Sequence, residues 1–547
     1  HRAEMARFWG VPFVPAKPGK SAVNPFKSLK TGEIQAVWIA CTNPAQSLPN
    51  QAAVREALRA AEYVVLQEAY ANTDTADYAD LLLPASSWGE KYGTVTNSER
   101  CITRVQPAVA PPGEARHDWE IVVDFARRLG RKLDHAGADT LFPYSDAESI
   151  FNEHRESTRG RDLDITGLSY ALLEADGPQQ WPYPEGAAAG KRRLYEDGRF
   201  PTADGKARFV PIEHQPTSDA ISTALPISLL SGRLRDHWHG MSRTGTVPRL
   251  FNLGDEPLLA MHPCDMRHRG LESGDLVKVS NGRGEVAVRI AERAGLKKGR
   301  AWMPMHWGSQ FMNSPGANAL ACEATDPYSR QPELKHAAVQ IEKLDLPYPL
   351  AVVRSCDTQP EALEMMQCAR ALFAAFPYAT LGLYGRKRPL VVFRAAAATA
   401  TDATTIAALD RLFGMAGDDG AIIYADAARK VSKKAIALNG RLLGVRLAGE
   451  TLAQTWLKRA MAEDELDAGM IRFALAPSAK PPGNIVPRNI ICKCADVSDV
   501  QIRQAVDGGA GLPELQGTLK CGTFCGACLP EIKRMVAESP ASVAVTA

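Results

Sequence analysis

"AVWIACTNPAQSLPNQAAVREALRAAEYVVLQ", residues 36–67, decides the class of the fold. "AVWIA" (36–40) is a buried-strand run, "CTNPAQSLPN" a loop, "QAAVREALRAA" a helical stretch, and "YVVLQ" (63–67) a second apolar run. Strand, helix and strand in that order make a βαβ unit, so the two strands are expected to run parallel. Ligands of parallel sheets gather at the carboxyl ends of strands, here Thr42 to Pro44 and Gln67 to Glu68, where the polar groups suit a nucleotide.

Outward from this unit, "ADLLLPASSW" and "PPGEARHDWEIVVDFARRLG" continue the α/β layer, with Trp119, Val122, Val123, Ala126 and Leu129 at helical spacing and Gly130 as the stop. Residues 131–222 read as irregular, rich in Pro, Gly and charge, and are expected to wrap the surface. Near 224 the pattern turns to β. "LPISLLSGR" is a strand entering a loop, "GDLVKVSNGRGEVAVRI" alternates around the hairpin signal "NGRG", and short strands continue to "HAAVQIEKL". A small α/β segment follows, with a strand "AIIYA" and a hairpin at "LNGRLLGVRL", and the Pro-rich "APSAKPPGN" closes it off. The expected division is 1–223, a β-barrel over 224–345, a connecting domain over 346–475 that could dock the last module, a linker over 476–484, and a module over 485–538.

With 547 residues, several packed domains are expected. A hydrophobic share of 45% and a net charge of +2 give no pull toward nucleic acid or an anionic membrane. The runs "GRKRP" (385–389) and "ARKVSKK" (428–434) read as solvated faces. No apolar stretch reaches the ~20 residues of a spanning helix and no signal pattern opens the chain, so a cytoplasmic location is expected. The first residue is His1 and the opening reads like the middle of a polypeptide, which suggests further sequence upstream.

Five of the eleven cysteines crowd into the last part of the chain. Cys492 and Cys494 form C-x-C, Cys525 and Cys528 form C-x-x-C, and thirty residues lie between the pairs. Ser498 with Gln501 is a capping box and Pro530 suits a first helical turn, so a helix is expected to start close to each pair, its positive end beside a metal centre. Either zinc or an iron–sulfur cluster accepts four such thiolates. Cys521 reads as a bystander or as a replacement for Cys525, and Cys41, Cys101, Cys264, Cys322, Cys356 and Cys368 mostly as buried small hydrophobes. The spacing resembles the bacterioferritin-associated ferredoxin-like domain, which implies a 2Fe-2S cluster on Cys492, Cys494, Cys525 and Cys528.

"SGRLRDHWHG" (231–240) packs two Arg, two His and an Asp into a Gly-flanked loop, a density of donors suited to an anionic ligand, though a solvent-exposed polar loop would look the same. With "WIACTNPAQSLPN", "ADLLLPASSWGEKYGTVTNSER", "PPGEARHDWE", "MHPCDMRHRGLESGDLVKVSNGRGEV" and "NALACEATDPYSRQPELKHAAV", the chain resembles the large subunits of the molybdopterin oxidoreductases of the dimethyl sulfoxide reductase superfamily, and among them the cytoplasmic assimilatory nitrate reductases.

The resemblance implies an α/β multidomain fold: parallel α/β layers, a double-psi-like barrel that binds a dinucleotide, and a small helical 2Fe-2S module. It implies a molybdenum bis(molybdopterin guanine dinucleotide) gripped by Asn43, Gln67, Glu68, Lys91, Asp118, Ser231, Gly232, Arg233, His237, Trp238, His239, Asn318 and Lys335. Glu68 and Asp118 can accept from guanine or ribose, Arg233 and Lys335 can pair with phosphate, and Gly232 lets backbone approach the ligand. On their own, Asp118 reads as a helix N-cap and Lys91 as a surface lysine. Gly240 stands where relatives often carry a hydroxyl, and Pro44 where they often carry a small polar residue. His306 could guide an anion toward the metal or be a packed surface histidine. A 4Fe-4S cluster and the molybdenum ligand are expected upstream, and this portion alone is expected to be inactive. The implied reaction is nitrate to nitrite, with electrons from an NADH-dependent flavoprotein, a ferredoxin or a flavodoxin entering at the iron–sulfur centres. A formate dehydrogenase-like molybdenum or tungsten enzyme and a non-catalytic electron-transfer subunit are the alternatives.

Overall fold

The computed structural model describes residues 2–538 apart from 139, 464, 465, 467, 483–489 and 493. The end of the expected linker and the first residues of the expected last module therefore lie outside the described residues. The chain divides into two compact units, residues 1–42 with 55–216, and residues 43–54 with 217–547.

In the first unit β1 (Ala36–Ala40), β2 (Tyr63–Glu68) and β3 (Leu81–Pro84) form a parallel sheet in that order. Ala36 pairs with Tyr63 and Ala40 with Gln67, as the βαβ reading requires. A second, antiparallel sheet joins β4 (Gly93–Thr96), β5 (Cys101–Val105) and β6 (Gln179–Gln180). The helix Asp118–Lys132 runs through Gly130 instead of stopping there. A Cβ on Gly130 would come 2.8 Å from the Ala138 Cβ, so the missing side chain admits the returning chain. That helix buries Ile121 and Val123 and leaves Val122 and Leu129 exposed, which shifts its inner face from the one expected. Residues 131–222 are also more than a surface wrap: the helices Ala147–Ser157 and Tyr170–Ala175 build a small core of Ile102, Phe151, Ile165, Leu168, Tyr170 and Leu173. The exposed chain beyond it includes Phe209 and Ile212.

The second unit opens with a closed six-stranded barrel: β7 (Ile227–Gly232), β8 (Leu258–Met261), β9 (Leu276–Asn281), β10 (Gly284–Glu292), β11 (Arg300–Pro304) and β12 (His336–Lys343). Alternation builds it. Val277 and Val279 on β9, and Val286, Val288 and Ile290 on β10, point inward and are buried, while Lys278, Glu285 and Arg289 face away. The "NGRG" hairpin pairs Asn281 with Gly284.

A six-stranded antiparallel sheet follows, ordered β14 (Tyr378–Tyr384), β15 (Leu390–Ala397), β13 (Tyr348–Ser355), β18 (Arg441–Ala448), β17 (Val431–Leu438) and β16 (Ala421–Asp426). Its strand β15 is buried on both faces: Val391, Phe393 and Ala395 join the core shared with the barrel, and Leu390 and Val392 join a second core under the helix Gln454–Glu463. The β17–β18 hairpin turns on Asn439 and Gly440, both at positive φ, the left-handed pair a two-residue hairpin favours. The basic run here is a solvated face only in its first half, where Arg429 and Lys430 are exposed. Lys433 is 1% exposed, bonded to Glu450 and to the Leu475 carbonyl, and Lys434 reaches Asp418. A lysine on the inner face of a strand survives burial because a carboxylate meets it.

The last segment has β19 (Ile490–Cys492) paired with β20 (Val497–Ser498) and the helices Asp499–Asp507, Leu512–Thr518 and Leu529–Ala537 around Val497, Ile502, Leu515, Cys521, Ile532 and Met535. Among the described residues no helix is long and apolar enough to cross a membrane.

Candidate functional site

In the first unit the strand ends and the following helix bring Gln67, Glu68, Lys91 and Asp118 together. Asp118 is the first residue of its helix and not the N-cap, a position held by His117, whose backbone N–H donates to Glu120. The Asp118 carboxylate is thereby free to turn outward. It accepts from Gln67 Nε2 at 2.8 Å, from Lys91 Nζ at 2.5 Å and from the Cys41 thiol at 3.4 Å. Lys91 is thus ion-paired and only partly exposed, not a solvated surface lysine.

Burial works to raise the Asp118 carboxyl, but the bonds from Lys91 and Gln67 and the Lys91 charge outweigh it and hold the group below the ordinary carboxylate value. Partial burial of the thiol, with Asp118 beside it, pushes Cys41 up to about 11. Burial also raises Glu68. Gln67 is 1% exposed, and its side-chain carbonyl oxygen has no hydrogen-bond partner among the described residues. Such an acceptor fits the N–H edge of a base.

In the second unit the residues cluster around the loop that leaves β7. Ser231 donates its hydroxyl to the Leu334 carbonyl at 2.7 Å. A Cβ on Gly232 would lie 2.6 Å from the Trp302 indole nitrogen, so the missing side chain admits the indole. The exposed Trp238 indole carries two guanidiniums, Arg233 at 5.2 Å and Arg243 at 5.5 Å. His237 is buried against Phe251, Trp307 and His306. His239 has a positive φ of 44°, and burial together with Arg233, Arg243 and Lys335 lowers its pKa. Lys335 reaches the Met305 sulfur at 3.5 Å. The collected cations and the indole suit phosphates and a heteroaromatic ring.

His306 is neither a surface histidine nor open to an anion. It is fully buried; its Nδ1 donates to the His239 carbonyl at 2.7 Å and its Nε2 accepts from the Leu234 N–H at 2.8 Å. The ring closes the loop from 234 to 239 like a staple. Beside it lies Gln46, a residue that sequence reasoning missed, buried on the short helix Pro44–Ser47, which Pro44 opens. Gln46 Nε2 donates to the His306 carbonyl at 2.9 Å, and its Oε1 accepts from Asn43. A Cβ on Gly240 would sit 2.0 Å from that Oε1, and one on Gly308 2.7 Å from Nε2, so both glycines make room for the amide. This gives a packing reason for glycine at 240. Asn318 donates to the Ser47 carbonyl at 2.8 Å.

Four of the five cysteines of the last segment, Cys492, Cys494, Cys525 and Cys528, line one cavity of about 470 Å³. The Cys494 and Cys525 sulfurs are 3.4 Å apart. A hydrogen bond from the Ala527 N–H and the contact with Cys494 lower the Cys525 thiol, whereas burial pushes Cys528 up to about 11. Ser498 caps the helix Asp499–Asp507 through the expected box with Gln501, and Cys528 stands at the N-cap position of Leu529–Ala537 without a side-chain cap bond, with Pro530 in the first turn. Four thiols on one cavity, close to two helix starts, fit the ligand set of a 2Fe-2S cluster. Cys521 is not among the residues lining this cavity; it is buried, its thiol directed to the Leu515 carbonyl at 3.7 Å. Of the six scattered cysteines only Cys356 is buried; Cys41 and Cys368 are exposed and Cys101, Cys264 and Cys322 lie between.

Residues 4–128 match the Molybdopterin oxidoreductase family, 227–338 the Molydopterin dinucleotide binding domain, and 490–538 the BFD-like 2Fe-2S binding domain. The chain is similar to a nitrate reductase of Klebsiella oxytoca, 34% identical over 559 residues that cover 97% of this chain and 59% of that protein. It is also similar to the assimilatory nitrate reductase catalytic subunit of Bacillus subtilis (34%, covering 62% of this chain and 47% of that one). A third relative is the F420-dependent formate dehydrogenase subunit alpha of Methanocaldococcus jannaschii (34%, covering 57% and 43%). The chain thus spans about half the length of these relatives.

Proposed function

We infer that this chain, which carries molybdopterin oxidoreductase, dinucleotide-binding and BFD-like 2Fe-2S segments in that order, is the cofactor-gripping and electron-entry portion of a molybdenum-dependent nitrate reductase. The observation that carries this reading is the similarity to a nitrate reductase along 97% of the chain. The name of the Bacillus relative favours an assimilatory role, and with it a cytoplasmic location and a soluble donor such as a flavoprotein reductase, ferredoxin or flavodoxin.

Gln67, Glu68, Lys91 and Asp118 in one unit, and Asn43, Ser231, Gly232, Arg233, His237, Trp238, His239, Asn318 and Lys335 in the other, are the residues that would hold molybdopterin guanine dinucleotides; Cys492, Cys494, Cys525 and Cys528 would hold the 2Fe-2S cluster. Bound, these groups supply oxygen-atom transfer and one-electron transfer. The chain's own part is grip and orientation. Gln67 and Glu68 offer acceptors to base or ribose, Arg233 and Lys335 offer charge to phosphate, Trp238 offers a stacking face, and His306, held by Gln46, fixes the 234–239 loop that carries Trp238. None of these residues is assigned to molybdenum itself. The five-part division at 223, 345, 475 and 484 describes these tasks, the sheet of 346–475 serving to dock the last module.

A formate dehydrogenase-like activity is the second reading, favoured by the Methanocaldococcus relative. The test uses the whole protein that carries this chain. Nitrate should reoxidise dithionite-reduced viologen with nitrite accumulating, and formate should not reduce viologen. Formate-dependent reduction without nitrite formation would overturn the substrate, and silence with both, in protein loaded with molybdenum, would overturn the nitrate reading.

A further inference from the structure

The 2Fe-2S match covers residues 490–538, yet the cavity among the four cysteines is not walled by that module alone. Arg235 and Asp236 come from the barrel loop, Arg249 and Leu250 from the segment after it, and Arg386 from the turn between β14 and β15. Arg386 also makes a 2.7 Å ion pair with Asp496, two residues after the C-x-C pair in the turn between β19 and β20. Arg235, Arg249 and Arg386 line the cavity together with Asp236 and Asp496, Arg235 meeting Asp236 at 3.3 Å, so three cations outnumber two carboxylates there and arrive from three separate places in the sequence.

A module that only needed to hold its own cluster would not require them. Guanidiniums at an exposed edge are ordinarily solvated, but here they are gathered on a concave wall against four sulfurs, where water is scarcer and charges act more strongly. The loop that carries Arg235 is, moreover, the one stapled by His306 at Leu234 and His239, so its tip is held in place.

We propose that Arg235, Arg249 and Arg386 complete the cluster site from outside the module: Arg386 docks it through Asp496, and the three charges favour the reduced cluster. The proposal rests on the cysteines being 2Fe-2S ligands. With four thiolates such a cluster carries a net charge of −2 when oxidised and −3 after accepting one electron from a low-potential one-electron donor, with no bond made or broken. Nearby cations stabilise the more negative state, so they raise the reduction potential.

The test uses the whole protein that carries this chain, purified anaerobically with its clusters, reduced with dithionite and followed by electron paramagnetic resonance of the binuclear signal during a redox titration. Arg235→Gln and Arg249→Gln keep the stem and remove the charge. Each is expected to shift the reduction equilibrium toward the oxidised cluster by about three- to tenfold, tenfold being about 59 mV for one electron. Arg235→Lys should stay close to wild type. Arg386→Asp should shift the equilibrium likewise, and adding Asp496→Arg should restore it. If the wild-type chain takes up no binuclear cluster, the reading of the cysteines fails. If it does, and the potential is unmoved in the Gln variants and in Arg386→Asp, the proposal is overturned and the reading of the cysteines stands.

Discussion

Replacing His306 with leucine tests whether one buried ring organises the loop of residues 234–239. Leucine keeps an apolar body of similar size in the pocket beside Trp307 and His237 and removes both hydrogen bonds. The Leu234 N–H and the His239 carbonyl are then left without partners. A buried backbone group left unbonded costs about 1–3 kcal/mol, and both bonds lie in a partly buried region where water can recover some of this, so we expect a loss of about 2–4 kcal/mol. Asparagine can still donate to the His239 carbonyl and glutamine can still accept from Leu234, so each should lose about half as much.

The ring also links stability to pH. Burial lowers its pKa, an effect that the bond to the His239 carbonyl opposes and the nearby Arg233, His239 and Lys335 charges reinforce. The unfolded ring takes up a proton near pH 6.5 while the folded ring resists. Its contribution is therefore complete above about pH 6.5 and declines as the pH falls toward the folded value, and the leucine variant should lack this slope. Guanidinium unfolding followed by tryptophan fluorescence reads the loss, with Trp302 and Trp307 beside the altered loop among the nine tryptophans that contribute. A leucine variant within about 0.5 kcal/mol of wild type, with the same dependence between pH 5 and 7, would refute the argument.

Gly240→Ala places a methyl 2.0 Å from Gln46 Oε1, so the amide must swing away from the His306 carbonyl; a loss of about 1–3 kcal/mol in the same unfolding assay is expected. Asp118→Asn removes the charge beside Cys41, so its thiol should fall from about 11 and alkylate faster at pH 8, a rate read by mass spectrometry of the peptide. Cys525→Ala should abolish iron binding by the last segment, whereas Cys521→Ala should leave the iron content intact and cost only the stability of a small buried contact.

The parts of this fold that declare themselves in sequence are those built from neighbours. Alternation along 276–290 specifies the β9–β10 hairpin, the apolar runs at 36–40 and 63–67 specify parallel strands, and Ser498 with Gln501 specifies a helix start. The cysteine pairs and the donor-rich loop at 231–240 are likewise local patterns. What sequence reasoning misses depends on distant partners. Gln46 looks like any loop amide until the chain from 306 to 308 arrives; Lys433 looks solvated until Glu450 meets it; Gly130 looks like a stop until Ala138 packs on it. His306 is the sharpest case. A histidine in a polar neighbourhood suggests an open ligand, and only the backbone groups on either side of its ring reveal that both nitrogens are occupied. The arginines around the cysteines have no spacing rule at all, since 235, 249 and 386 share only a destination.

The segment 43–54 belongs with residues that the ribosome makes much later. Gln46 and the His306 carbonyl it serves are 260 positions apart, and Ser47 and Asn318 are 271 apart. At 5–20 residues per second, roughly a quarter of a minute to nearly a minute passes between the emergence of the two ends of that bond. Through that interval Gln46 Nε2 lacks the carbonyl it meets in the fold, while its Oε1 can already accept from Asn43. A polypeptide released before residue 306 would keep it so, which makes this short stretch a checkpoint on the completeness of the chain.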